Sequence, residues 1–196
     1  YLPYPCRFFH DANSAAIAEL WASPQLKDAF YLSLSRHLAA ALILDRKIIT
    51  GLHGHSATIE HMQIDPHGEL CYCGKRGCLE TQCSLRALHC DLEHLDDFFQ
   101  RVHAADLKAQ EIWIAYLKNL AHAINLLHLI YDKTFILGGY LAPYLQKEDI
   151  DFLYKEIAEQ TPFPEAHDFL QISSMPKHNI AIGAALLYIQ KFLERI

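Results

Sequence analysis

The sequence predicts an α/β protein in which a mixed β-sheet is flanked by helices. Between residues 30 and 49, apolar side chains alternate with more polar ones or form short runs, which is typical of strands. From residue 105 onward they recur every three to four positions, which is typical of helices. The chain has 196 residues, 52% hydrophobic and 20% charged, enough for one sizeable core or two small subdomains. This composition excludes collagen-like, disordered and low-complexity chains.

The first predicted elements are a short strand and a helix. The apolar run from Arg7 to Phe9 predicts a strand that stops at the turn of residues 10–13. An alanine-rich segment follows as far as Trp21 and predicts a helix. On local sequence alone, Asp11 caps this helix, which then begins one or two residues later.

Antiparallel strands are expected next. Between positions 30 and 34, apolar residues alternate with more polar ones and predict a strand with one buried face. A second apolar run, residues 38–44, turns at residues 45–47 into the apolar pair 48–49. This arrangement predicts adjacent antiparallel strands.

The second half of the chain predicts two helices separated by a strand. The apolar face of the first helix is formed by Trp113, Leu117, Leu120, Ile124 and Leu127. Residues 134–137 predict a strand that ends at Gly138 and Gly139. The apolar face of the closing helix is formed by Ile182, Ala185, Leu186, Ile189 and Leu193. The first helix suits a buried core position and a dimer interface equally well.

The charge balance and the cysteines restrict the class of function. Lys and Arg number 17 against 23 Asp and Glu, a net charge of −6, so the chain has no basic excess for binding nucleic acid. No secretory leader is recognisable at the start of the sequence, and no stretch approaches the roughly 20 apolar residues of a membrane span, so we expect a soluble, cytoplasmic chain without membrane contact. Of six cysteines, three lie within eight residues, which favours metal binding over disulfides.

One imidazole and three thiolates form the strongest chemical signal. The predicted metal ligands are His61, Cys71, Cys73 and Cys78. This donor set is that of a closed, tetrahedral Zn²⁺ site, which is structural because it leaves no open coordination position. Lys75 and Arg76 are placed to offset the negative charge of the thiolates. The alternative is a group of unligated buried cysteines beside a chance histidine. The remaining cysteines, Cys6, Cys83 and Cys90, are interpreted as small buried hydrophobes.

The segment 61–80, HMQIDPHGELCYCGKRGCLE, closely resembles the signature of the ROK family, named for repressor, open reading frame and kinase. Three further segments support the resemblance in the right order: residues 10–13 (HDAN), 136–139 (ILGG) and 181–185 (AIGAA). The resemblance implies an actin-like ATPase or ribonuclease-H-like fold with a sugar between two lobes. We expect residues 1–196 to be a single C-terminal lobe, with the first lobe and any DNA-binding domain largely absent.

The resemblance also assigns roles to individual residues. Asp11 matches the base that accepts the sugar hydroxyl proton in family kinases. His10 stands where the family usually has an asparagine that contacts the sugar. His61 is expected to use one ring nitrogen for zinc and to offer the other N–H to a sugar hydroxyl. Glu80 matches a sugar-binding glutamate, although on local sequence it suits a surface position equally well.

Two departures from the family pattern point away from catalysis. A sugar-binding glutamate of the family is replaced by Thr58. The glycine-rich turn through which kinases approach phosphate is replaced by residues 35–41, SRHLAAA, which contain no glycine, so side chains obstruct that approach. The family's first phosphate loop, Asp-x-Gly-x-Thr, and a helix-turn-helix are also missing from these residues.

We therefore expect the effector-sensing and oligomerisation part of a ROK-type transcriptional regulator, comparable to N-acetylglucosamine repressors. It would bind a sugar or sugar phosphate, contain structural zinc and form a homodimer or larger homo-oligomer, with DNA contacted only through a separate N-terminal domain. The alternative is the C-terminal lobe of an ATP-dependent sugar kinase for a hexose or N-acetylhexosamine, with Asp11 as base. A third possibility is a relic that binds no ligand and only dimerises.

Overall fold

The computed structural model describes residues 3–4, 6–163, 168–175 and 178–193, and a five-stranded mixed sheet lies at its centre. The strands are β1 (Ala29–Leu34), β2 (Leu38–Leu44), β3 (Lys47–Ile49), β4 (Thr134–Gly138) and β5 (Leu170–Ile172). Their order in the sheet is β3-β2-β1-β4-β5. The pair β2–β3 is antiparallel, as predicted, and β1–β2 is antiparallel too, whereas β4 pairs in parallel with both β1 and β5.

Helices cover both faces of the sheet. They are α1 (Asp11–Ala22), α2 (Leu79–Cys83), α3 (Leu95–His103), α4 (Leu107–His128), α5 (Lys147–Gln160) and α6 (Asn179–Leu193). Short 3-10 turns occupy residues 85–88, 92–94 and 142–144. Among the described residues, no helix combines the length and the apolar character needed to cross a bilayer.

The sheet separates two apolar cores, so β1 is buried on both faces. Phe30, Leu32 and Leu34 belong to the larger core with helices α2 to α5, whereas Ala29 and Tyr31 belong to the smaller core beneath α1. The prediction of a half-buried strand was therefore wrong. Tyr31 looks polar in the sequence, but its hydroxyl accepts a hydrogen bond from the side chain of Asn179, which allows full burial.

The predicted strand at Arg7–Phe9 is also absent, because no described strand pairs with this segment. Phe8 is fully exposed, and Phe9 packs edge-on against the ring of Tyr188. The following helix begins at Asp11 itself, whose carboxylate accepts a hydrogen bond from the N–H of Ala12. Asp11 therefore lies in the first turn of α1, where its negative charge suits the helix N-terminus.

The two long C-terminal helices differ in how closely they follow the sequence pattern. All five predicted apolar residues of α4 are buried in the core. In α6, by contrast, Ala185, Ile189 and Leu193 are exposed, and the buried positions are Asn179, Gly183 and Leu186. The reason is that α6 packs against α1 through Gly183, which turns the predicted face partly away from the protein.

The turn between β2 and β3 fixes the direction of α1. The Arg46 guanidinium donates hydrogen bonds to the backbone carbonyls of Leu20, Ser23, Pro24 and Leu26, at and just beyond the C-terminal end of α1. The helix N-terminus, with His10 and Asp11, is therefore directed away from this turn.

Candidate metal centre and binding site

The four predicted metal ligands converge in the structure. The ligand atoms of His61, Cys71, Cys73 and Cys78 all lie within 4.8 Å of one another. The Sγ atoms of Cys73 and Cys78 are 3.7 Å apart, and the Sγ of Cys71 is 3.7 Å from Nδ1 of His61. Ligands on a tetrahedral Zn²⁺ ion, at about 2.3 Å for sulfur, lie about 3.8 Å from each other. The donor set and its spacing therefore fit a tetrahedral metal site.

The backbone of the loop is folded so that it surrounds the cluster. The N–H of Cys71 donates to the carbonyl of Lys75 at 2.8 Å, and the N–H of Gly74 donates to that of Cys71 at 3.0 Å. Gly77 has a φ of +64°, and a Cβ atom at this position would overlap the backbone carbonyl of Asp65. A glycine is therefore required immediately before Cys78.

The thiols differ in burial and acidity. Cys71 and Cys78 are buried, whereas Cys73 is exposed. Burial raises the pKa of Cys78 to about 12. A backbone hydrogen bond from Lys75 lowers the pKa of Cys73, and the Lys75 charge contributes in the same direction. Because the raised pKa keeps the Cys78 thiol protonated in the absence of a metal, a bound cation must displace that proton to use the sulfur as a ligand.

A continuous set of contacts connects the metal cluster to Glu80. The ring of His61 packs edge-on against Tyr72, with centroids 5.1 Å apart, and Tyr72 packs edge-on against His37 at 5.5 Å. His37 Nδ1 lies 2.8 Å from Oε1 of Glu80, and the N–H of Leu38 donates to Oε2 at 2.8 Å. Glu80 is only 2% exposed, so it is not a surface residue.

Three residues of this region were not predicted from the sequence: His37, Tyr72 and Glu60. His37 was considered only as part of a turn without glycine, because its partner Glu80 lies 43 positions away. Glu60 is buried next to His61, and its carbonyl accepts a hydrogen bond from the N–H of Glu80. Burial and the negative charges of Glu80 and Glu60 raise the pKa of Tyr72. The signal that could have identified Tyr72 and Glu60 is their position in the sequence, directly beside predicted metal ligands.

The other predicted site residues lie apart from this cluster. His10 and Asp11 are partly exposed at the start of α1, with Nδ1 of His10 3.6 Å from Oδ1 of Asp11. No contact within the described residues connects them to His61 or Glu80. Thr58 is exposed, and its hydroxyl donates to the carbonyl of His55. The two carboxylates expected to share one site, Asp11 and Glu80, lie on different helices, α1 and α2, and no described contact joins them.

Comparisons with known proteins agree on one family. The sequence model of the ROK family matches residues 2–191. An 85-residue segment is 36% identical to the N-acetylmannosamine kinase of Yersinia pestis (strain Pestoides F), which is 43% of this chain and 29% of that kinase. The structure resembles a ROK family glucokinase from Streptomyces griseus in complex with glucose and AMPPNP, with a TM-score of 0.78 and 21% identity.

A regulator is also among the similar structures. A ROK family transcriptional regulator, a homologue of the E. coli MLC protein, matches with a TM-score of 0.67 and 23% identity. The alignments cover 90% of this chain in both structural comparisons, but only 66% of the glucokinase and 51% of the regulator. The chain therefore spans only part of the length of the proteins that it matches.

Proposed function

Because the chain belongs to the ROK family and has its actin-like α/β fold, we propose that it is the sugar-sensing and oligomerisation lobe of a ROK-type transcriptional regulator. Residues 1–196 would form one C-terminal lobe, with DNA contacts made by a separate domain. In this proposal the sugar is bound by His61 and Glu80 together with His10 and Asp11. A cytoplasmic setting and a homodimer or larger homo-oligomer are parts of the same proposal.

The observation that carries this proposal is the turn between β1 and β2. Ser35, Arg36 and His37 occupy the turn that is glycine-rich in family kinases, and none of them has a left-handed backbone. His37 is paired with Glu80, the matched sugar-binding carboxylate. A segment that approaches phosphate in family kinases therefore holds in place, in this chain, the carboxylate of Glu80 that we expect to bind the sugar, and it has no glycine to let its backbone approach a phosphate.

The metal would have a structural role. His61, Cys71, Cys73 and Cys78 would hold Zn²⁺, which supplies a cross-link between the loop segments and has no open position for catalysis. Nδ1 of His61 faces Cys71, so Nε2 remains to donate a hydrogen bond to a sugar hydroxyl. A sugar would shift the regulator between two states through its different affinity for each of them.

The proposal is tested by titrating the full-length, metal-loaded protein with hexoses, N-acetylhexosamines and their 6-phosphates in a calorimeter. Glu80→Gln is expected to raise the Kd of the bound sugar at least about 10-fold, because hydrogen bonds to a charged group contribute roughly 1.5–3 kcal/mol. Glu159→Gln, on the exposed surface of α5, is the matched control and should leave the Kd unchanged. Absence of binding by the wild-type protein to every sugar would contradict sensing.

A sugar kinase is the second candidate, favoured by the 36% identity to an N-acetylmannosamine kinase and by the exposure of Asp11. Asp11 would then accept the proton of the attacking sugar hydroxyl, with Mg²⁺ATP as phosphoryl donor. Under our first proposal, we expect no ATP-dependent phosphorylation of N-acetylmannosamine or hexoses by the full-length protein. Turnover that is lost in Asp11→Asn would establish the kinase instead.

A further inference from the structure

His37 and Glu80 form a pair in which only the histidine reaches solvent. Nδ1 of His37 lies 2.8 Å from Oε1 of Glu80. The side chain of Glu80 is 3% exposed, whereas that of His37 is 62% exposed. The second carboxylate oxygen, Oε2, accepts a hydrogen bond from the N–H of Leu38. A ligand that approaches this pair in the folded protein therefore meets the imidazole before the carboxylate.

The turn that carries His37 is attached to the structure on two sides. The carbonyl of Ser35 accepts a hydrogen bond of 3.0 Å from the N–H of Leu85, just beyond α2. The hydroxyl of Ser35 accepts one of 3.3 Å from the N–H of Tyr140, just beyond β4. Side chains on a fixed backbone keep the geometry that ligand binding requires. His37 is thus presented to solvent from a rigid support.

The contact with Glu80 determines what the other ring nitrogen of His37 can do. An ionised carboxylate only accepts hydrogen bonds, so Nδ1 of His37 must carry a proton to donate to it. In a neutral imidazole the second nitrogen, Nε2, then keeps its lone pair and is an acceptor. The exposed side chain of His37 therefore has a free acceptor atom, and a buried carboxylate fixes its orientation.

Tyr72 places this acceptor beside the metal cluster. Its ring is part of a side chain on a residue that is 61% exposed, and it packs edge-on with the rings of both His37 and His61. Nδ1 of His61 faces Cys71, so Nε2 of His61 is the nitrogen left to donate. One histidine thus offers a donor and the other an acceptor next to the same aromatic ring. A hydroxyl group, which donates and accepts, can use both.

We propose that His37 binds the sugar directly, by accepting a hydrogen bond from a sugar hydroxyl at Nε2, and that Glu80 is a positioning residue that orients this imidazole. This inference rests on the sugar-binding function proposed above and changes the role of Glu80 within it, because the carboxylate acts on the sugar through His37. It also gives a function to a side chain of the turn that lacks glycine.

Acid is expected to weaken sugar binding through His37. A histidine gains a proton between about pH 8 and pH 5, and its Nε2 then donates and no longer accepts. The groups that face the His37 ring are Glu80 from α2 and Tyr72 from the metal loop, and Arg36 is its charged neighbour in the turn. If Glu80 bound the sugar itself, a protonated His37 would support the carboxylate as well as a neutral one does, so acid would not weaken binding.

The test titrates the full-length, metal-loaded protein with glucose, mannose, N-acetylglucosamine and N-acetylmannosamine. For the sugar that binds, we expect the Kd of the wild type to rise about threefold or more between about pH 8 and about pH 6. His37→Gln has an amide oxygen that accepts at either pH, so its Kd should not change with pH. His37→Phe keeps a ring beside Tyr72 without nitrogen atoms, and its Kd should be about 10-fold above that of the wild type at the higher pH. Glu159→Gln is the control and should follow the wild type.

Protection of His37 from chemical modification provides a second readout. Diethyl pyrocarbonate acylates neutral imidazoles, and mass spectrometry locates the modified histidines. A saturating sugar should protect His37 and leave His94, exposed directly before α3, as reactive as before.

Three results would overturn the inference: a bound sugar that does not protect His37, an unaltered Kd in His37→Phe, or a pH dependence that His37→Gln shares with the wild type. In each of these cases the sugar-sensing proposal stands, because the wild type still binds a sugar. If the wild-type protein binds no sugar, both proposals fail.

Discussion

Replacing Cys78 with serine is expected to release the bound metal and unfold the segment of residues 61–78. Cys78 is buried at the centre of the four-ligand cluster, and its Sγ lies 3.7 Å from that of Cys73. Structural zinc contributes on the order of 10–16 kcal/mol to the folding of zinc-finger peptides, and a hydroxyl does not replace the thiolate ligand. This segment contains two isolated β-bridges but no helix or strand, so its backbone hydrogen bonds lie in turns that depend on the cluster for their support.

Elemental analysis of the purified protein tests this prediction directly, by measuring the zinc content per chain. We expect about one zinc ion per wild-type chain and much less than one in Cys78→Ser, together with proteolytic cleavage within residues 61–78 at protease concentrations that the wild type resists. Cys6→Ser is the matched control, because Cys6 is exposed and lies outside the cluster. Equal metal content and equal protease resistance in Cys78→Ser would show that the cluster is not a metal site.

Replacing Gly183 with leucine is expected to separate α6 from α1. Gly183 lies against the backbone of Ser14, and even a Cβ atom at this position would overlap the Ser14 carbonyl group. Because the obstacle is backbone, neither helix can relieve the overlap by a side-chain rotation. We expect a loss of about 3 kcal/mol or more in the free energy of unfolding, at the upper end of the usual cost of overpacking.

For a chain of this size, that loss corresponds to a decrease in Tm of roughly 6–12 °C. Thermal and urea unfolding measure it, and Ala185→Leu provides the comparison, since Ala185 is exposed on the same helix. Ala185→Leu should change the Tm by no more than a few degrees. If Gly183→Leu were as stable as the wild type, the packing of α6 on α1 described above would be incorrect.

The metal cluster was predictable because its information is local. All four ligands lie within residues 61–78, and the spacing of the cysteines limits how the backbone can fold around an ion. The antiparallel pair β2–β3 and the buried face of α4 were predicted for the same reason, since an apolar run broken by a turn and a period of 3.6 residues are both visible within a short stretch. The strand expected at Arg7–Phe9 was wrong, because a strand also needs a neighbour with which to pair.

The pairing of His37 with Glu80 was not predictable in this way. Each residue is unremarkable in its own segment, and 43 positions separate them. The absence of a hydrogen-bond donor for Glu60 Oε2 among the described residues depends on the whole fold, because every segment around the carboxylate contributes to it. The burial of both faces of β1 likewise depends on helices that are far apart in the sequence, α1 on one face and α2 to α5 on the other.

The amino-acid sequence by itself determined the α/β class, the family and the four side chains that could hold a metal, because each of these follows from the order of residues along a short stretch. The tertiary structure alone decided which buried carboxylates are hydrogen-bonded within the described residues, and which face of α6 is covered. Burial and charge compensation arise from contacts between distant segments, and those contacts exist only after the chain has folded.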